Sequence, residues 1–302
     1  MSRPVIAAVG EDALLPQSPE AGGESGAPRL RHWVNGAHRP RGHGLYLASG
    51  VGLEARSSCR MGEGIGENAA RVRVASHAEL SVEVIAGSQT ASAAYPASPV
   101  HAVYRYGWVR DGSWCACAMD RVGQRVSAAA WHRWVADVLL RHEHRVIAAL
   151  QAVAAGPIDE RLMLPARFTL DGEEEPPDEE QWPNFQLDCH GHWLWALADH
   201  IDRGGALQEP TEAAARLVLR YLTAAAELPC YDCWEEHPGH RHTSTLASIV
   251  AGLRDAGGML GETQAVARAE KLRQLMMGSD HVVAGSLVRH PGPRRHGHAS
   301  PV

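Results

Sequence analysis

The chain has 302 residues, 45% of them hydrophobic and 21% charged, with a net charge of −6, the composition of a globular protein of one large domain or two small ones. No stripe or tail of basic residues argues for a nucleic-acid partner, and no stretch nears the roughly 20 apolar residues that span a bilayer. VIAAVG, near the start, is too short for a signal core, and six cysteines are too few for a disulfide scaffold, so the expectation is a cytoplasmic chain with reduced thiols.

Residues 1–75 read as an irregular leader, with no sustained period of 2 or 3.6; RLRHWVNGAHRPRGHGLYLASG offers at best two short strands. Residues 76–290 are helical in pattern. HAELSVEVIAGSQ (77–89) is a short amphipathic segment. A Tyr/Pro-rich loop leads to a second helix near 112–124. A single long helix is expected over 128–153, with Trp131, Val135, Val138, Leu139, Val146 and Leu150 on one face. The acidic loop LPARFTLDGEEEPPDEEQWPNF follows. DCHGHWLWALADHI then places Leu194, Leu197, Ala198 and Ile201 on one stripe. Pro210 suits the first turn of a helix over 210–227. Thr243 is a candidate cap for the helix carrying Leu246, Ile249, Val250 and Leu253. A last helix covers 263–277, and 291–302 reads as an unstructured tail. The sum is an all-α architecture of antiparallel pairs, with Trp, Asp and Glu gathered in the loops.

One segment, CYDCWEEHPGHRHTS (230–244), admits two chemistries. Cys230 and Cys233 have half the spacing of a zinc site, but His237 follows too closely for a finger, and Cys115, Cys117 and Cys189 supply no second pair. Small buried thiols are the simpler reading. No metal and no cofactor are expected. The same segment holds Trp234, Glu235 and Glu236. Glycoside hydrolysis needs an acid to protonate the leaving oxygen, and an indole offers a flat face to a pyranose ring. Two other loops repeat the pattern. Trp108, Arg110 and Asp111 precede one helix, and an Arg–Asp pair makes a fixed fork for sugar hydroxyls. Trp182 and Asp188 flank the start of another.

The stretches YRYGWVRDGSW, WPNFQLDCHGHWLWAL and CYDCWEEHPGHRHTSTLASIVAGL, in this order and spacing, resemble the three sugar-binding loops of glycoside hydrolase family 15, the glucoamylase family. The resemblance covers about residues 78–290 and is closest to short bacterial members acting on isomaltose-type α-1,6-glucosides. It implies an (α/α)6 barrel and inverting hydrolysis of a terminal α-glucosyl unit, with a small α-glucoside or oligosaccharide as the only partner. By position it implies Glu235 as general acid and Glu236 as the adjacent substrate-binding carboxylate. It implies Arg110 and Asp111 as the grip on the non-reducing glucose, beside Trp108, and Trp182 and Trp234 as supporting rings. Cys233, His190 and His192 depart from the family pattern.

An inverting enzyme needs a second carboxyl roughly 6.5–9.5 Å from the first. The family's general base lies far downstream, in a glycine-rich loop. After Glu236 this chain has only Asp255, Glu262, Glu270 and Asp280, none in a matching motif. About seven helices are legible, fewer than the barrel contains. The expectation is therefore an incomplete barrel, truncated before the base, with exposed apolar faces that favour self-association. A catalytically inactive carbohydrate-binding remnant is the alternative, and a zinc protein using the Cys/His cluster a weaker one.

Overall fold

The computed structural model describes residues 77–156, 159–175, 184–278 and 281–291, all within one compact unit. The leader, the tail, Trp182 and Asp280 lie outside the described residues.

Helix α1 covers residues 77–88 and buries part of Val82 and Ile85 against the core, leaving Leu80 and Val84 to solvent. Strand β1 (Tyr106–Trp108) runs directly into α2 (Val109–Arg121). There follow α3 (Arg125–Arg141), α4 (Glu143–Ala155), β2 (Arg167–Thr169), α5 (Asp188–Asp202), α6 (Glu209–Ala225), α7 (Thr243–Leu260) and α8 (Thr263–Gly278). A short hairpin, β3 (Val282–Val283) with β4 (Ser286–Leu287), closes the described chain. Strands β1 and β2 pair antiparallel with Gly107 opposite Phe168. The architecture is the expected all-α one, and within the described residues strands contribute only these two short pairs.

The helices form two layers. α2, α5 and α7 lie side by side; α3, α6 and α8 return behind them. Arg110 of α2 meets Asp188 of α5 at one end, and Asp120 meets His200 at the other, so α2 and α5 run parallel. α5 and α7 pack closely enough that a Cβ on Gly191 would lie 2.7 Å from the Ser248 backbone, and one on Gly252 2.5 Å from the Gly191 carbonyl oxygen. Glycine at both positions is what permits this contact. Between the layers Trp131 stacks on Trp134 at 4.8 Å and meets Tyr95 in a tilted contact at 5.5 Å, and Trp193, Tyr221, Met119 and Leu139 are fully buried. Each such side chain contributes about 1.5–3 kcal/mol on burial.

Three expectations are corrected. The single helix over 128–153 is two helices, broken at His142. That ring is held by the Gly172 carbonyl at 3.0 Å and stacks on Phe168 at 5.4 Å, so a tertiary contact overrides a continuous apolar period. The second helix begins at Val109 instead of residue 112, because the β1 strand delivers the chain into it without a loop. Thr243 does not cap α7: its hydroxyl bonds the Val288 carbonyl and His281 Nδ1, and His242 occupies the cap position. Pro210 lies in the first turn of α6, where its missing N–H costs nothing.

Candidate active site

The N-terminal ends of α2 and α5 meet, and the loop 230–242 before α7 closes over them. Helix N-termini carry partial positive charge and suit carboxylates. Asp111 lies in the first turn of α2 and Asp188 in that of α5. Between them lies Arg110, whose Nη1 is 3.1 Å from Asp188 Oδ2 and whose Nε is 3.6 Å from Asp111 Oδ2. Burial opposes the Arg110 charge, but the Asp188 and Asp111 carboxylates outweigh it and raise its pKa further. Asp188 is almost fully buried, so this pair anchors both helices.

Gln186 extends the network to the third loop. Its side-chain carbonyl accepts from Arg110 Nη1 at 2.7 Å, and its amide donates to Glu235 Oε1 at 3.3 Å. Sequence reasoning missed this residue. Its only mark is a polar side chain between Phe185 and Leu187, just ahead of a helix-start Asp.

The loop that carries Glu235 is built around Asp232. Its Oδ1 accepts from the backbone N–H groups of Trp234 at 2.9 Å and Glu236 at 3.1 Å, an Asx-type turn. The Asp232 N–H bonds the Glu236 carbonyl at 3.2 Å, and the Glu235 N–H bonds the Asp232 carbonyl at 2.9 Å. Inside this tight turn Glu235 sits at φ +63° and His237 at φ +51°, left-handed positions that cost a non-glycine residue energy. Arg289 holds the turn from outside. Its Nε lies 2.8 Å from Asp232 Oδ2 and its Nη2 2.6 Å from Glu236 Oε2. The buried His242 ring bonds the carbonyls of Cys230 and His237, each at 3.1 Å. Neither Asp232 nor Arg289 stood out in the sequence, because their roles are backbone caps and long-range pairing.

The structure thus brings Arg110, Asp111 and Glu235 together, with Asp188 and Gln186 added. Asp111 keeps 43% of its side chain exposed, yet its Oδ2 is enclosed and has no hydrogen-bond partner. Burial raises the Asp111 pKa; Arg110 opposes the shift, and the Asp188 and Glu235 carboxylates add to it. Glu236 is half-exposed and tied to Arg289. Trp108 is 3% exposed, with the Arg167 guanidinium 4.7 Å above its ring, so it packs under the site without offering an open face. Trp234 is 76% exposed. Trp114 of α2 is 51% exposed, 5.0 Å from Trp195 and 5.6 Å from His192 of α5.

The Cys/His reading gains no geometry. Cys230 is buried and Cys233 half-buried, and both thiols are pushed up, chiefly by burial, away from the thiolate a metal needs. Neither belongs to any group of three or more His, Cys, Asp or Glu ligand atoms within 4.8 Å of one another among the described residues.

The model of glycosyl hydrolases family 15 matches residues 78–276. Isomaltose glucohydrolase from Kribbella flavida is 39% identical over 220 residues, which cover 69% of this chain and 55% of that protein. Among solved structures, a wild-type glycosidase superposes with a TM-score of 0.68 at 37% identity, covering 77% of this chain and 63% of that one. A substituted glycosidase in complex with glucose gives the same values. The chain spans about half the length of the curated relative it matches.

Proposed function

The chain belongs to family 15 of the glycosyl hydrolases, and from that premise we propose that it holds the glucosyl-binding and acid-bearing part of an inverting α-glucoside hydrolase. The observation that carries this reading is the half-exposed Asp111 carboxylate beside the Arg110 guanidinium, which Gln186 links to Glu235. The Asp188 carboxylate is committed to Arg110, and the exposed part of Asp111 is an acceptor that a sugar hydroxyl would satisfy. Arg110 and Asp111 grip the non-reducing glucose. Glu236 accepts from a further hydroxyl. Trp234 offers its open ring and Trp108 supports the site from behind, while the family resemblance alone assigns a supporting role to Trp182. Glu235, held by Gln186 and by its left-handed turn, donates its proton to the glycosidic oxygen. Isomaltose-type α-1,6-glucosides are the favoured substrate class, because the curated relative is an isomaltose glucohydrolase. Five described cysteines are free thiols, as in a reducing compartment such as the cytoplasm.

The second carboxylate is not supplied by the described residues after Glu236. Asp255 is engaged by Arg254 at 2.7 Å, Glu262 by Arg216 and Glu270 by Arg273 at 2.8 Å. Asp280 lies outside the described residues. We infer that no described residue after Glu236 serves as the general base. Losing one acid–base group costs about 10²–10⁴-fold in rate. The same observation favours the second reading, a sugar-binding remnant.

The test combines calorimetry with glucose and glucose-release assays on isomaltose, maltose and trehalose. The hydrolase reading expects millimolar glucose binding and slow release from isomaltose. Added azide or formate should accelerate consumption of the substrate by attacking where activated water would, and Glu235→Gln should abolish it without loss of binding. Binding with no consumption under any condition favours the remnant. Neither heat nor turnover would remove both readings.

A further inference from the structure

At the other end of the α2–α5 pair lies a cluster that the sugar site does not use. Asp120, in the last turn of α2, His132 of α3 and His200, near the end of α5, converge with ligand-capable atoms within 4.8 Å of one another. All three are buried. His200 Nδ1 lies 2.8 Å from Asp120 Oδ2 and 3.0 Å from Oδ1. The His132 ring stands 5.0 Å from that of His200, and neither of its nitrogens has a hydrogen-bond partner.

A fully buried imidazole with two unpaired nitrogens is costly. Each buried polar atom without a partner costs about 1–3 kcal/mol. The unpaired nitrogens of His132 therefore call for something to bind. A neutral imidazole is the form that coordinates a cation. Two imidazoles and one carboxylate suit zinc, whose nitrogen and oxygen ligands stand about 2.0–2.2 Å from the ion and so about 3.3 Å from each other. The Asp120–His200 pair is some half an ångström tighter than that, a small opening. The turn after α5 closes over His200 so tightly that a Cβ on Gly205 would meet its Nε2 at 2.2 Å. Three protein ligands leave the fourth tetrahedral position to a water enclosed with the ion, and such a seal argues against an exchangeable ion.

We propose that Asp120, His132 and His200 form a structural zinc site that pins α2, α3 and α5 together at the end remote from Glu235. Ten helical residues separate Arg110 from Asp120, about 15 Å along α2, so the ion takes no part in the sugar chemistry. The three ligands lie far apart in sequence and on three helices, so no spacing motif announces them.

The whole chain, stripped with a chelator and titrated with zinc alone, should bind one equivalent and melt at a higher temperature, since an ion bound only to the folded state stabilises it. Cobalt in place of zinc should give a spectrum without thiolate charge transfer. His132→Leu should lose that equivalent and its melting shift while still folding. Should His132→Leu fail to fold, Asp120→Asn, which keeps the shape but weakens the ligand, is expected to lose the equivalent instead. The half-exposed histidines His237, His240 and His290, with the His240 and His290 rings 4.0 Å apart, are a competing sink. His240→Ala combined with His290→Ala should leave the equivalent in place. Zinc well below one equivalent overturns the proposal, as does an equivalent that survives His132→Leu and Asp120→Asn or vanishes in the surface pair.

Discussion

The two ends of the α2–α5 pair make opposite use of the same residue types. At the N-terminal end, charges stay partly open: the Asp111 side chain is 43% exposed. At the C-terminal end, the side chains of Asp120 and His200 are 1% and 2% exposed, and the groups answer one another. An open cluster can leave acceptors for a soluble ligand, because water fills in when the ligand is away. A sealed cluster has no such reserve and must be satisfied from within or by a trapped ion. The backbone shows the same division. Left-handed residues Glu235 and His237 mark the open end, while the closed end is ordinary helix with glycines only at its turn.

This contrast can be broken most sharply at Arg110. Its side chain is 14% exposed and that of Asp188 only 3%. Arg110→Met would leave a buried carboxylate with no counter-charge, and removing one partner of a buried pair costs about 3–5 kcal/mol. Chemical denaturation should show a loss of that size, together with loss of glucose binding. A loss below about 1 kcal/mol would mean that water already screens the pair.

Acid should act next in size. His190, beside Asp188 on α5, is fully enclosed, and burial lowers its pKa to about 4 although the Leu164 and Pro165 backbone oppose the shift. The unfolded chain therefore takes up a proton that the folded chain refuses between pH 6.5 and 4. Stability from this residue is present above the unfolded pKa and is lost as pH falls through that window. Each unit is worth about 1.4 kcal/mol, so the loss approaches roughly 3 kcal/mol. His190→Phe should flatten the melting temperature across the window. An unchanged slope in the variant would assign the acid sensitivity to other groups.

Gln186 is the single described side chain joining the Arg110 grip to Glu235 through hydrogen bonds at both of its ends. Gln186→Leu preserves volume and removes both bonds. The expected stability loss is about 1.5–3 kcal/mol, the value of a hydrogen bond to a charged group. Glucose release should fall more than glucose binding, because the proton donor loses its position while the grip stays on its own helix. Equal losses in both would make Gln186 a packing residue.

These residues also show what a one-dimensional reading captures. The helices were legible because a buried face repeats every 3.6 residues, as along Leu194, Leu197 and Ile201. Glu235, Arg110 and Asp111 were legible because each sits in a short loop motif beside a tryptophan. The break at His142 was not, since the apolar spacing continues through it and only the bond to Gly172 reveals it. The three-residue strands at 106–108 and 167–169 are too short to show a period. Gln186, Asp232 and Arg289 were hidden for another reason: each acts on a partner distant in sequence or on backbone N–H groups, neither of which leaves a pattern in residue type.

Trp234 should give the smallest stability change of all. The sequence suggests a ring lying against Glu235, but the structure leaves it 76% exposed, with its backbone N–H, not its indole, tied into the Asp232 turn. Trp234→Ala removes almost no buried surface and no hydrogen bond of that turn. Exposed substitutions away from strained or paired groups usually change stability by within about 0.5 kcal/mol. What the ring offers is an open apolar face at the mouth of the site, where a sugar can cover it. Melting temperature should therefore stay put while calorimetry shows weaker binding of isomaltose, the partner whose second ring reaches beyond the Arg110–Asp111 grip. A fall in stability with unchanged binding would place Trp234 among the packing residues and leave the third loop with Glu235 and Glu236 as its whole contribution to sugar recognition.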